Sequence, residues 1–251
     1  MARNRYFQFK QFRIEQGECA MKVTTDACLF GALFAQSVHT QQSHSILDIG
    51  AGTGLLSLMT AQNTQSAITS VELDDAAAQQ AAFNFSASPW SHQLSVVNQS
   101  IQDFSQQNHN IFDSTFDSII TNPPFFQQSS KGSDQRRNLA RHTDSLSFDD
   151  LAQSIVRHLA QTGEAWVLLP VDSSQHFLVA CQHVKLCLFK RIQLRSSLTH
   201  PVHRHVLVLK RSESTSDENF TTIDDMVTIY DNHPTYTSEV QQLMSPYYLA
   251  L

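Results

Sequence analysis

Short apolar runs alternate with longer stretches of helical spacing through the first two-thirds of the chain. The runs Ile46–Ile49, Ile68–Glu72, Leu94–Asn98, Phe116–Thr121 and Ala165–Leu169 have the length and residue content of strands. Between and after them the spacing predicts helices over Leu55–Gln62, Asp75–Ser86, Phe148–Ala160 and Asp172–His183. The third begins with Ser147 as N-cap and Asp150 three residues on, then carries Leu151, Ile155 and Leu159 as an apolar stripe. Two longer β-like segments, Val184–Leu194 and His203–Lys210, predict a closing antiparallel pair around the proline-containing SSLTHPVH. This order predicts an α/β fold: a doubly wound, seven-stranded, mostly parallel sheet with a C-terminal antiparallel strand. Ligands of such sheets lie at the carboxyl ends of the strands, so chemistry is sought there.

The first strand end reads ILDIGAGTG. Gly50, Gly52 and Gly54 allow a tight turn and close backbone approach to a ligand. A dinucleotide fingerprint needs its third glycine where Leu55 stands, so a pyrophosphate is disfavoured. Asp48 would repel phosphate and attract a cation, which suits S-adenosylmethionine, with its ammonium and sulfonium. Glu72, at the second strand end about 20 residues beyond the glycines, can accept both hydroxyls of a ribose. Asp74 and Asp75 are expected to start the next helix, where carboxylates offset the dipole. After the third strand, Asp103 is expected in a loop to accept from an adenine amino group, with Phe104 against the ring.

The fourth strand runs into TNPPFF. Two prolines stop a ladder, and they also stiffen the backbone beyond the strand. An exocyclic amine on a planar base is a weak nucleophile, because its lone pair is shared with the ring. The Asn122 side-chain oxygen and the Pro123 carbonyl could take both amine hydrogens and free that lone pair, with Pro124 fixing the backbone. Phe125 offers a flat face on which an extruded base could stack, for about 1–3 kcal/mol.

Charge changes the picture of the partner. The formal net charge is −6, yet windows 1–22, 131–141 and 185–211 hold 16 of the 17 lysines and arginines and only Glu15, Glu18 and Asp134 of the acids. Converging windows would give one phosphate-ready face; dispersed ones would merely keep strand edges soluble. His203 and His205 share a strand face near His200, but no Cys or acid adjoins them in sequence, so they read as surface or RNA-contacting groups rather than metal ligands. The four cysteines form no CxxC pair, and no 18-residue apolar run or signal-peptide pattern occurs. A cytoplasmic protein with no membrane segment and no metal is expected.

Taken together, these motifs resemble the class I S-adenosylmethionine-dependent methyltransferases of the NPP-aromatic, amino-methylating type. FQFKQFRIEQGECAMKVTTDACLFGA, NPPFFQQ, QRRNLARH and YTSEVQQLMSPYYLAL are similar to the bacterial tRNA (adenine-N6)-methyltransferase family acting on adenine 37 of a valine tRNA. The resemblance implies a Rossmann-like fold, S-adenosylmethionine as cofactor, tRNA as partner and a monomer. It implies one methyltransferase domain over 1–251: an RNA- and cofactor-contacting extension at 1–44, a catalytic core at 45–211 and a tail at 212–251 packed on the core. It places Asp48, Gly50, Gly52, Gly54, Glu72, Asp103 and Phe104 in the cofactor site, with Lys22, Thr25 and Asp26 near the cofactor's methionine end. Asn122, Pro123, Pro124 and Phe125 would form the target pocket, and Lys131, Arg136, Arg137 and Arg141 would hold RNA phosphates. Two other readings share parts of the pattern: a release-factor-type protein glutamine methyltransferase, and a catalytically silent cofactor- and RNA-binding protein.

Overall fold

The computed structural model describes residues 5–19, 21–41, 43–107, 115–123, 146–212 and 222–251. Two short strands, β1 (Tyr6–Gln8) and β2 (Arg13–Glu15), pair as a hairpin ahead of helix α1 (Thr25–Gln41). Next come β3 (Ser45–Ile49), α2 (Leu55–Ala61), β4 (Ala67–Glu72), α3 (Asp75–Ser86), β5 (Leu94–Asn98), α4 (Ile101–Gln107) and β6 (Phe116–Thr121). After these lie α5 (Phe148–His158), β7 (Leu159–Pro170), α6 (Val171–His183), β8 (Leu186–Arg195) and β9 (Val202–Arg211). The chain closes with β10 (Ile223–Thr228), the small pair β11 (Tyr230–Asn232) and β12 (Thr235–Tyr236), and α7 (Ser238–Met244).

The central sheet has the order β10-β8-β9-β7-β6-β3-β4-β5. Among the described residues, only β9 runs antiparallel in it, inserted between β7 and β8. The sheet is therefore mostly parallel as expected, but among the described residues it has eight strands rather than seven. The eighth, β10, comes from the tail and extends the sheet alongside β8. Its IDDMVT places Asp224 and Asp225 beside Arg191 and Lys190, at 3.7 and 3.2 Å. A strand so rich in acid does not look like a strand until those cations lie next to it.

Strand side chains alternate between two apolar layers, as the two-residue period requires. Ile46, Ile68, Ile120, Trp166, Leu168, Val206 and Val208 face α1, α2, α3 and α7. Leu47, Ile49, Val71, Ile119, Val167, Leu169 and Leu207 face α4, α5 and α6. Each such side chain, fully buried, contributes roughly 1.5–3 kcal/mol.

Other elements also differ from expectation. Helix α1 is buried on nearly every side, from Ala27 through Val38, so no polar face betrayed its period. Helix α5 ends at His158, and β7 begins at Leu159, well before Ala165. Asp103 lies in the first turn of α4 rather than in a loop, where Ser100 Oγ accepts from its N–H at 3.0 Å. The expected cap at Ser147 is present, and Asp74, expected to help start α3, is its N-cap; each accepts a first-turn N–H.

The ends of the chain meet. Lys10 donates to the Ser245 carbonyl, Gln62 to that of Pro246, and the Tyr247 hydroxyl to that of Met59 at 3.1 Å. An aromatic series of Phe7, Phe9, Phe12 and Tyr248 packs the hairpin against the C-terminal residues.

Candidate active site

At the carboxyl edge of the sheet, β3 lies between β4 and β6, and Ile49 pairs with both Val71 and Thr121. The glycine loop leaves β3 here. Gly50, Gly52 and Gly54 all have positive φ (75°, 56° and 77°), a region that disfavours side chains. Gly50 donates to the Val71 carbonyl at 2.8 Å, which pins the loop to β4. Gly52 N–H donates to Glu72 Oε2 at 2.8 Å, and Asp74 N–H to Glu72 Oε1 at 2.9 Å. Two backbone donors thus set the orientation of the Glu72 carboxylate.

Asp48, next to last in β3, is fully buried. Its Oδ2 accepts from Ser57 Oγ at 2.6 Å, and Ser57 in turn meets Ser70 Oγ at 2.9 Å. Its Oδ1 has no hydrogen-bond partner among the described residues. Burial pushes the Asp48 carboxyl up to about 7; the Ser57 bond opposes this and the nearby Glu72 charge adds to it. A cation arriving beside Oδ1 would relieve both the orphaned lone pairs and the burial penalty.

The other expected residues are distributed around this edge. Asn122 directly follows β6, half-buried, and its Nδ2 lies 3.9 Å from Met21 Sδ, while Pro123 is buried. Pro124, Phe125, Lys131, Arg136, Arg137 and Arg141 lie outside the described residues. Lys22 Nζ donates to the Gln16 carbonyl. Thr25 opens α1, and its side chain opposes the burial that pushes the Tyr236 hydroxyl's pKa up. Asp26 turns towards β9, where His203 Nε2 meets both of its oxygens at 3.2 Å and Arg204 Nε lies at 3.7 Å. Asp103 is exposed and receives the Ser100 hydroxyl at 2.7 Å. Phe104 is buried, with its ring 5.2 Å from that of His158.

Hence Asp48, the glycine loop, Glu72, Asn122 and Pro123 share one edge. The histidine group also gains, in three dimensions, the acidic neighbour that its own sequence neighbourhood lacked. Among the described residues, no group of three or more His, Cys, Asp or Glu is placed to hold a metal ion. None of the described helices is long and apolar enough to cross a membrane.

The family description Methyltransferase small domain matches residues 29–169. Over 243 residues the chain is 42% identical to a tRNA1(Val) (adenine(37)-N6)-methyltransferase of Shewanella baltica (strain OS195), covering 97% of this chain and 98% of that one. A Shewanella woodyi protein of the same name is 39% identical over the same shares. The chain belongs to the tRNA1(Val) (adenine(37)-N6)-methyltransferase family. Solved structures agree on the fold of this family member. A predicted O-methyltransferase from Agrobacterium tumefaciens aligns with TM-score 0.67 at 16% identity, over 90% of this chain and 99% of that one. A methyltransferase complexed with SAH aligns with TM-score 0.58 at 15% identity, over 84% and 57%.

Several residues around this family member's site escaped the reading of its sequence. Ser57 and Ser70 hold Asp48 in place, Cys19 and Met21 lie over the edge, and Asn84 and Phe85 support the glycine loop. Asn84 alone left a trace, as an amide on the stripe of α3 that otherwise buries Ala77, Ala81 and Phe85.

Proposed function

We propose that this chain transfers the methyl group of S-adenosylmethionine to the exocyclic N6 amine of adenine 37 in a valine tRNA, next to the anticodon. The observation that carries this is the meeting of Asp48, Glu72 and Asn122 at one edge, in a chain similar from end to end to relatives bearing that name. The residues fit the cofactor: the orphaned Asp48 Oδ1 suits a cation, and a Cβ on Gly50 would meet nothing within 4 Å, leaving the loop open to a close ligand. When bound, S-adenosylmethionine supplies a methyl group made electrophilic by its sulfonium.

In this reading Glu72, already oriented by two N–H donors, accepts the ribose hydroxyls. Asn122 has its Nδ2 turned to Met21, which leaves Oδ1 to accept one amine hydrogen while the Pro123 carbonyl accepts the other. The nitrogen then moves towards tetrahedral geometry with its lone pair free, and positioning does most of the catalysis. The methylated amine is acidic, so no strong general base is required. Phe125 stacks on the extruded adenine, and Lys131, Arg136, Arg137 and Arg141 hold phosphates of the flanking nucleotides. The enzyme works as a cytoplasmic monomer, with residues 45–211 as catalytic core, 1–44 as extension and 212–251 as tail.

Incubation with unmodified tRNA and methyl-labelled cofactor should give N6-methyladenosine, mapped by nucleoside and fragment mass spectrometry to position 37. Label in a protein glutamine, or no transfer despite cofactor binding, would overturn the reading.

A further inference from the structure

Asn84 stands near the end of α3, only 1% exposed, and its side-chain amide makes three hydrogen bonds. Oδ1 accepts from Glu15 N–H at 3.0 Å, while Nδ2 donates to the Glu15 carbonyl at 2.9 Å and to the Thr53 carbonyl at 2.9 Å. Two carbonyls and one N–H admit only this orientation of the amide. Thr53 lies inside the glycine loop, between Gly52 and Gly54. The next residue, Phe85, braces the same loop: a Cβ on Gly54 would fall 2.4 Å from its Cε1.

From Glu15 the chain passes over the loop. Gln16 Oε1 accepts from Val23 N–H at 2.9 Å and the Gln16 carbonyl accepts from Lys22, which draws Lys22 and Val23 back to Gln16. Between them Cys19 Sγ sits 3.7 Å from where a Cβ on Gly52 would lie, and Met21 reaches Asn122. One amide, on a rigid helix, therefore joins the cofactor loop to a strap that extends to the amine clamp.

We propose that Asn84 is a positioning residue for cofactor binding: it locks Thr53 and Glu15 to each other, so that the glycine loop and the strap residues 15–19, 21 and 22 form one wall of the site. This rests on the cofactor reading above. Asn84 touches neither cofactor nor base, and acts by holding the backbone that does. Occupancy of the loop and order in the strap are then coupled in both directions.

The test pairs variants with a measurement on the unaltered protein, using S-adenosylhomocysteine as probe. Asn84→Ala and Asn84→Asp should raise its Kd at least about tenfold, with kcat near normal once methyl donor is saturating. Gln93→Ala is the matched control, since Gln93 is also a buried amide donating to two carbonyls, those of Ala61 and Thr64 at 3.0 and 3.2 Å, away from the loop. It should lose stability yet keep the Kd. In the unaltered protein, the probe should slow hydrogen exchange at the Glu15 amide, which bonds Asn84 rather than any ligand. Equal Kd in folded Asn84 variants, or unchanged Glu15 exchange on probe binding, overturns the proposal. Should the variants fail to fold, the exchange measurement decides. Failure of the unaltered protein to bind the probe overturns the cofactor reading itself, a result distinct from either.

Discussion

Gly52 N–H donates to Glu72 Oε2 across 2.8 Å, joining the loop after β3 to the last residue of β4. A carboxylate held by two backbone donors is already oriented for a diol, so little ordering remains for ligand binding. Glu72→Ala should weaken S-adenosylhomocysteine binding by roughly 10- to 100-fold, from the ~1.5–3 kcal/mol of hydrogen bonds to a charged group. Titration calorimetry checks this. An unaltered Kd would restrict Glu72 to bracing the loop.

Asp48 makes stability depend on pH. Its folded value of about 7 lies above its ordinary value of 3.8, so between the two the folded chain holds a proton that the unfolded chain has lost. That contribution is complete below the unfolded value and disappears as pH rises through the folded one. Urea titrations of the ligand-free protein should show stability falling across this window, with a flatter slope in Asp48→Asn. A cationic ligand favours the ionised carboxylate, so binding within the window should release a proton. Calorimetry in buffers of different ionisation enthalpy measures that release.

Gly54→Ala meets two penalties, a φ of 77° and the Phe85 ring at 2.4 Å from the new Cβ. Backbone strain of this kind costs about 1–3 kcal/mol before any steric cost. Phe85→Leu removes the ring and leaves the φ. The double variant should therefore be more stable than the sum of the single losses, and denaturation midpoints around the cycle give the coupling.

If, as proposed, the Asn122 oxygen accepts from the amine rather than the cofactor, Asn122→Ala should abolish methyl transfer and leave the S-adenosylhomocysteine Kd within about threefold. Loss of cofactor binding would reassign the residue to the other half of the site.

Arg136→Ala combined with Arg137→Ala should weaken tRNA binding and reduce the slope of log affinity against log salt by about 1–2. Filter binding across a salt series reads that slope. An unchanged slope would return both arginines to the solvent-facing surface.

The layered fold was legible because its information is local. Leu94–Asn98, Phe116–Thr121 and Asp75–Ser86 have the same limits in the structure as in the pattern. Strand ends derive directly from those limits, so Asp48, Glu72 and Asn122 could be named before their neighbours were known. Helix α1 was hidden because a helix buried on nearly every side shows little polar period. Strand β10 was hidden because Asp224 and Asp225 interrupt its apolar pattern; they lie exposed on the edge strand beside Arg191 and Lys190.

By itself, the sequence determined the alternation of strands and helices, the positions of the strand ends and the residues that stand on them. Side-chain period and turn chemistry act over a few residues and need no distant partner. Tertiary structure alone decided that Asp26 meets His203 across 177 positions, that Phe104 is buried, and that Asn84 ties residue 15 to residue 53. Those outcomes depend on which surfaces the layers press together. A buried amide or carboxylate takes its role from the donors and acceptors that packing delivers to it.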